Sequence, residues 1–162
     1  MILDHRTNIF SQNGEDGVIE YILDKLNITS GTCCEFGAWD GKHLSNTFNL
    51  IKNKEWKGLY IESDENKYKD LLETCKECPN ITPVQSFVTG ENLDDLILNN
   101  DFPEDLDLLS IDVDSIDYEI WKGLKKVRPK LIIIEPCNST SLWEKDVSYD
   151  GHGASPFLIK QL

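Results

Sequence analysis

The sequence predicts an α/β domain, a mostly parallel sheet wrapped by helices on both faces, and three observations point to it. Short apolar runs fit for strands alternate with longer stretches whose apolar residues recur at helical spacing, the pattern that builds right-handed crossovers. The stretch Cys33 to Gly41, Cys-Cys-Glu-Phe-Gly-Ala-Trp-Asp-Gly, reads as a buried strand that breaks into a glycine loop and opens a helix at about His43. Acids close the predicted strands at Glu35, Glu62, Asp112 and Glu135, and in open sheets of this kind ligands bind beyond the carboxyl ends of the strands.

Taken in order, Ser11-Gln-Asn-Gly-Glu-Asp-Gly17 is a polar loop and cap, after which Val18, Ile19, Ile22, Leu23 and Leu26 follow at helical spacing. The plainer reading is a capped helix lying on the sheet; the other sends Gln12, Glu15 or Asp16 to the site as well. In the glycine loop, Gly37 and Gly41 allow a sharp turn and close approach of a ligand. Trp39 stands where a dinucleotide fingerprint needs its middle glycine. Asp40, a carboxylate beside the expected helix start, repels phosphate and favours an ammonium or another cation.

The helix after the loop takes Leu44, Phe48 and Ile51 as its buried stripe, and the chain turns back between Lys52 and Gly58. Leu59 to Glu62 is the second strand. Its terminal acid comes about 25 residues after Gly37, near where a nucleotide fold places the acid that accepts bonds from ribose hydroxyls. Ser63 or Asp64 caps the third helix, with Tyr68, Leu71, Leu72 and Cys75 on its apolar side. Ile81 to Val88 is a third strand, and Pro83 within it argues for the edge of the sheet. Ser86 and Phe87 at its far end could bond and stack with a base. Glu91 to Leu98 is a further helix.

Asp107-Leu-Leu-Ser-Ile-Asp112-Val-Asp114 is a buried strand ending in alternating acids, so that Asp112 and Asp114 share a side. Read as a calcium loop the stretch fails, since Ile116 and Asp117 occupy positions that need an oxygen ligand and a glycine. A helix with Tyr118, Trp121 and Leu124 inward follows. Leu131 to Glu135 is then a strand apolar enough to be buried on both faces, and Pro136-Cys137-Asn138 ends it.

The chain of 162 residues, 40% of them hydrophobic, suits a single domain over residues 1–162. A formal net charge of -13 argues against bare nucleic acid as a partner, and an acidic rim favours a small molecule with positive charge. No apolar run approaches the roughly 20 residues of a membrane span, and no secretion signal opens the sequence. Five cysteines, an odd number, suggest reduced thiols and a cytoplasmic setting. Cys75 and Cys78 have zinc-like spacing without a second ligand pair, whereas Cys33 and Cys34 read as core residues. His5, His43 and His152 are scattered and read as surface residues.

With these residues on the page, the chain resembles a class I S-adenosylmethionine-dependent methyltransferase, and more narrowly an FkbM-type methyltransferase domain. The likeness rests on Ser11 to Gly17, Glu35 to Gly41, Tyr60-Ile-Glu62, Ser110 to Asp114 and the strand ending Ile134-Glu135. It implies a Rossmann-like three-layer fold with strand order 3-2-1-4-5. It further implies that Glu35, Gly37 and Gly41 hold the methionine part of S-adenosylmethionine and that Glu62 takes the ribose; Asp40 joins the cofactor-binding candidates by its charge. Ser86 and Phe87 fall near the adenine, and Asp112 beside the sulfonium and the acceptor. In relatives that methylate sugar or catechol hydroxyls, acids at the fourth and fifth strand ends hold magnesium. The matching positions here are Asp112, Asp114 and Asn138, the last of them neutral.

Asp112 or Asp114 is then the expected base, or the magnesium ligand, for O-methylation of a small-molecule or sugar hydroxyl. The resemblance also implies sixth and seventh strands that this sequence lacks, so the chain is expected to be C-terminally incomplete. A partner or a second copy is expected to cover the fifth strand. Three other readings stand beside the enzyme: a truncated, non-catalytic S-adenosylmethionine-binding or interaction module, an NAD-dependent oxidoreductase, and metal-dependent hydrolysis at Asp112 and Asp114, which finds no histidine at ligand spacing.

Overall fold

The computed structural model describes residues 1–113 and 117–134. A short 3-10 helix, Ile2–His5, leads into α1 (Glu15–Lys25), after which strands and helices alternate through β1 (Thr32–Phe36), α2 (Phe48–Lys54), β2 (Lys57–Glu62), α3 (Glu65–Glu77), β3 (Ile81–Gln85), α4 (Leu93–Leu98), β4 (Leu108–Ile111), α5 (Asp117–Gly123) and β5 (Leu131–Ile134). The strands form one sheet in the order β3-β2-β1-β4-β5, and every neighbouring pair runs parallel. The expected architecture is therefore the observed one, with Pro83 on the edge strand β3.

Side chains alternate across the central strand. Cys33 packs in one core with Ile19, Leu23, Phe48, Ile51, Tyr60 and Leu71, while Cys34 and Phe36 pack in the other with Leu59, Leu93, Ile97, Leu109 and Ile120. The first core lies under α1, α2 and α3 and the second under α4 and α5, as right-handed crossovers running in opposite directions from the sheet centre require. Both cores are near-continuous hydrophobic runs on strands buried on two faces. Two carboxylates tie loops to this frame. Asp94 accepts the backbone N–H groups of Lys125, Lys126 and Val127, each at 2.9 Å, and Asp107 accepts Thr32 N–H at 2.8 Å and the Lys130 ammonium at 2.6 Å.

Several boundaries differ from the expectation for identifiable reasons. The helix expected at about His43 begins only at Phe48, because residues 45–47 turn their N–H and hydroxyl groups onto Glu35; Leu44 leaves the buried stripe, with φ +60° and 43% exposure. β3 stops at Gln85, so Ser86 and Phe87 belong to the loop beyond it. The buried anchor of α5 is Ile120, with Tyr118, Trp121 and Leu124 only partly covered. Asp64 is the cap of α3, accepting Asn66 and Lys67 N–H at 2.8 and 3.0 Å. The expectation of missing sixth and seventh strands concerns residues after Ile134, outside the described residues. Strand β5, expected to be covered by a partner or a second copy, stands at the end of the order β3-β2-β1-β4-β5 among the described strands. Among the described residues no helix is long and apolar enough to cross a membrane.

Candidate functional site

A cleft of about 510 Å³ opens across the carboxyl ends of β3, β2, β1 and β4. Ser86 and Phe87 lie at its β3 end, Glu62 and Ser63 follow at β2, Gly37 to Trp39 at β1, and Asp112 and Val113 at β4. This is the rim where a sheet of this topology takes its ligands.

Its shape originates in the β1 loop. Gly37 has φ +73°, and a Cβ there would lie 1.9 Å from the Asp112 carbonyl oxygen, so only glycine lets the loop after β1 touch the loop after β4. Its N–H and that of Ala38 bond to Ile61 O at 3.1 and 3.3 Å. Trp39, at φ +46°, donates its N–H to Glu62 Oε2 at 2.9 Å. Glu62 is 4% exposed, and its other oxygen accepts Asp64 N–H at 2.8 Å. One backbone donor per oxygen leaves each with acceptor capacity toward the cleft.

Glu35 lies one strand away in a different setting. One carboxylate oxygen takes the hydroxyls of Ser45 and Thr47 at 2.9 and 2.5 Å and Thr47 N–H at 3.0 Å, while the other takes Asn46 N–H at 3.3 Å. Tyr60 Oη completes the cluster, 2.8 Å from Thr47 Oγ1 and 3.3 Å from Ser45 Oγ. Burial pushes the Glu35 carboxyl above its ordinary value, against the pull of those donors. Glu35 borders the cleft, yet it principally organises the segment that leads into α2.

Of the other residues expected at the site, Gly37, Ser86, Phe87 and Asp112 line the cleft. Gly41 and Asp40 do not. Gly41, φ +77°, is buried where a Cβ would lie 2.5 Å from Leu71 Cδ1, so its role is close packing. Asp40 turns outward and accepts the N–H groups of Lys42 and His43 at 3.0 and 2.7 Å. Asp114, Asn138 and Glu135 lie outside the described residues, as do Trp143, Tyr149 and His152.

The cleft also holds residues the sequence reading did not assign to it. His43, expected on the surface, lines it together with Lys67, and the two flank the Trp39 indole: the His43 ring centroid lies 5.4 Å away, edge to face, and Lys67 Nζ 5.6 Å above the ring. The site is thus less uniformly acidic than the strand-end pattern suggests, since Glu35, Glu62 and Asp112 share its lining with one ammonium and one imidazole. Lys67 was hidden in the first turn of a surface helix. Of the three motif residues that could have reached the site, Gln12 does so and Glu15 and Asp16 do not.

The cysteine pair reads as structural. Cys78 is buried, and burial pushes the half-buried Cys75 thiol up to about 11, far from a reactive thiolate. Among the described residues no cluster of three metal-ligating side chains occurs.

No protein-family model matches the sequence, and no curated protein matches it. Solved structures do resemble the fold. The precorrin-6Y C5,15-methyltransferase from Geobacter metallireducens GS-15 aligns over 79% of this chain and 64% of its own at 20% identity, with a TM-score of 0.52. The CurJ carbon methyltransferase aligns over 73% of this chain and 32% of its own at 10% identity, with a TM-score of 0.53. TrmK of M. capricolum, solved with S-adenosyl-homocysteine, aligns over 70% of this chain and 50% of its own at 12% identity, with a TM-score of 0.50. The chain thus spans half the TrmK chain and under two thirds of the others. At such identities the likeness establishes the fold alone, a Rossmann-like parallel sheet in the order 3-2-1-4-5.

Proposed function

We propose that the cleft binds S-adenosylmethionine and that the chain is a methyltransferase of the FkbM type, acting on a hydroxyl of a small molecule or sugar. The observation that carries this reading is the pairing of the Trp39 loop with Glu62. The loop N–H groups that would face a pyrophosphate in a dinucleotide site are turned onto Ile61 O and Glu62, and the middle glycine position is filled by an indole. What remains is a carboxylate at the end of β2 fit for a ribose diol, an exposed aromatic ring, Phe87, beyond β3, and Asp112 beyond β4. A volume of about 510 Å³ suits a nucleoside carrying an amino-acid tail.

When bound, the sulfonium supplies a methyl group whose carbon–sulfur bond breaks toward sulfur as the acceptor oxygen attacks in line. The chain's own part is positioning and proton removal. Glu62 fixes the nucleoside by its hydroxyls, and Phe87 covers the base. The carboxylate of Asp112, a half-buried residue of the cleft lining, takes the acceptor hydroxyl proton, with Asp114 as the alternative base. Of the three residues expected to hold magnesium, Asp112 alone lies among the described ones.

Calorimetry with S-adenosylmethionine and S-adenosyl-homocysteine tests the donor site: heat with both is expected, and no heat with either overturns the reading. Enhanced NADH fluorescence on mixing would favour the oxidoreductase instead. Full methyl transfer by the Asp112→Ala, Asp114→Ala double variant would remove these acids from the chemistry.

A further inference from the structure

The motif Ser11 to Gly17 folds a strap over the start of α1. Asp16 Oδ2 accepts the N–H groups of Ile9, Phe10 and Ser11 at 2.7, 2.8 and 2.8 Å and the Ser11 hydroxyl at 2.7 Å, and Asp16 N–H returns a bond to Ser11 Oγ at 3.0 Å. Glu15 accepts Asn13 N–H at 2.6 Å. Gly14 adopts φ +96° with its N–H on Asn8 Oδ1, and a Cβ on Gly17 would lie 2.1 Å from His5 O. Gln12 differs from these. Its carbonyl accepts Asn8 Nδ2 at 2.8 Å, which fixes its backbone, while the residue is exposed and lines the cleft.

The end of the cleft at which Gln12 stands follows from the helix order. α2 is the β1–β2 crossover, and α1 lies beside it through Asn49 Nδ2 to Glu20 Oε1 at 2.8 Å. α3 takes the strip over β2 and β3, so α1 covers the β4 side, where Ile19 and Leu23 share a core with Leu108 and Leu131. Gln12 therefore enters near Asp112, opposite Phe87. With the nucleoside at Glu62 and Phe87, the amino-acid tail of the donor reaches this end, and its α-carboxylate needs hydrogen-bond donors there. The backbone of the loop has few to give, and the two nitrogen-bearing side chains of the cleft, His43 and Lys67, are gathered at the Trp39 indole. The N–H groups of Gly37 and Ala38 are held by Ile61 O, that of Trp39 by Glu62, and those of Lys42 and His43 by Asp40. Glu35 and Asp112 offer acceptors only.

Resting on the methyltransferase reading, we infer that Gln12 is a cofactor-contacting residue whose side-chain amide donates to the α-carboxylate of the donor's amino-acid tail. The test compares S-adenosyl-homocysteine with 5′-methylthioadenosine, which has the same nucleoside and no amino-acid carboxylate, by calorimetry on the full chain. Gln12→Ala is expected to weaken S-adenosyl-homocysteine about tenfold and leave 5′-methylthioadenosine unchanged, with an unaltered melting temperature because the side chain is exposed. Gln12→Glu is expected to weaken the former further, since a second carboxylate repels the first. Wild-type affinity in Gln12→Ala, equal losses for both ligands, or tighter binding by Gln12→Glu overturns the inference. A wild-type chain that binds neither ligand overturns the proposed function and this inference with it.

Discussion

Glu35 and Glu62 end adjacent parallel strands, both almost fully buried at 6% and 4% exposure, yet they do different work. Glu35 gathers four donors from three consecutive residues of its own loop. Glu62 takes one backbone N–H on each oxygen and keeps acceptor capacity toward the cleft. The difference teaches that carboxylates ending neighbouring strands can be spent unequally: three of the four donors on Glu35 crowd one oxygen and tie down its loop, whereas Glu62 carries one donor on each oxygen.

Removing the Glu35 carboxylate should give the largest effect. Glu35→Ala strands the Ser45, Thr47 and Asn46 donors around a cavity, and a loss of about 4 kcal/mol in unfolding free energy is expected by denaturant titration. A loss below about 1 kcal/mol would break the comparison. Glu62→Gln should shift the effect toward the ligand. It preserves size and keeps only one of the two backbone bonds, since its amide NH2 cannot accept the other N–H. A stability loss of about 1–2 kcal/mol, smaller than that of Glu35→Ala, is expected, while S-adenosyl-homocysteine affinity should fall by about 30-fold, or about 2 kcal/mol, on calorimetry.

Asp94 gives a third case, a carboxylate used wholly for structure and far from the cleft. Burial raises its pKa, but the N–H groups of Lys125, Lys126 and Val127 outweigh that, and the net shift is downward from 3.8. A depressed folded-state pKa gives stability that is present above 3.8 and lost as pH falls through the lower, folded value. Asp94→Asn should therefore cost about 1–2 kcal/mol at neutral pH and flatten the acid limb of the stability curve, with ligand affinity unchanged. The smallest effect belongs to Asp40→Ala, which removes two turn bonds on the outer side of the loop. About 0.5–1 kcal/mol of stability is expected to go, and S-adenosyl-homocysteine affinity should stay within about twofold of wild type, a difference below about 0.4 kcal/mol.

The sheet was legible because its signals are local. Apolar runs such as Leu131 to Ile134, the Gly37 turn and Pro83 on the edge strand each act within a few residues. The later start of α2 was not, because Leu44, Phe48 and Ile51 fit helical spacing while the demand that unwinds residues 45–47 comes from Glu35, on the strand before. Glu62, Ser86, Phe87 and Asp112 could be placed at the rim by counting strands. Lys67 and His43 could not, since neither ends a strand and each reaches the cleft through Trp39. Gln12 was one of three candidates in its motif, and only the hydrogen bonds of Glu15 and Asp16 separate it from them.

The most direct test of the central claim is a crystal structure of the full chain with S-adenosyl-homocysteine. The account predicts both ribose hydroxyls on the Glu62 carboxylate, with Glu35 still bonded to Ser45 and Thr47. Ribose hydroxyls bound elsewhere, or a Glu35 released from its loop to hold the ligand, would contradict it.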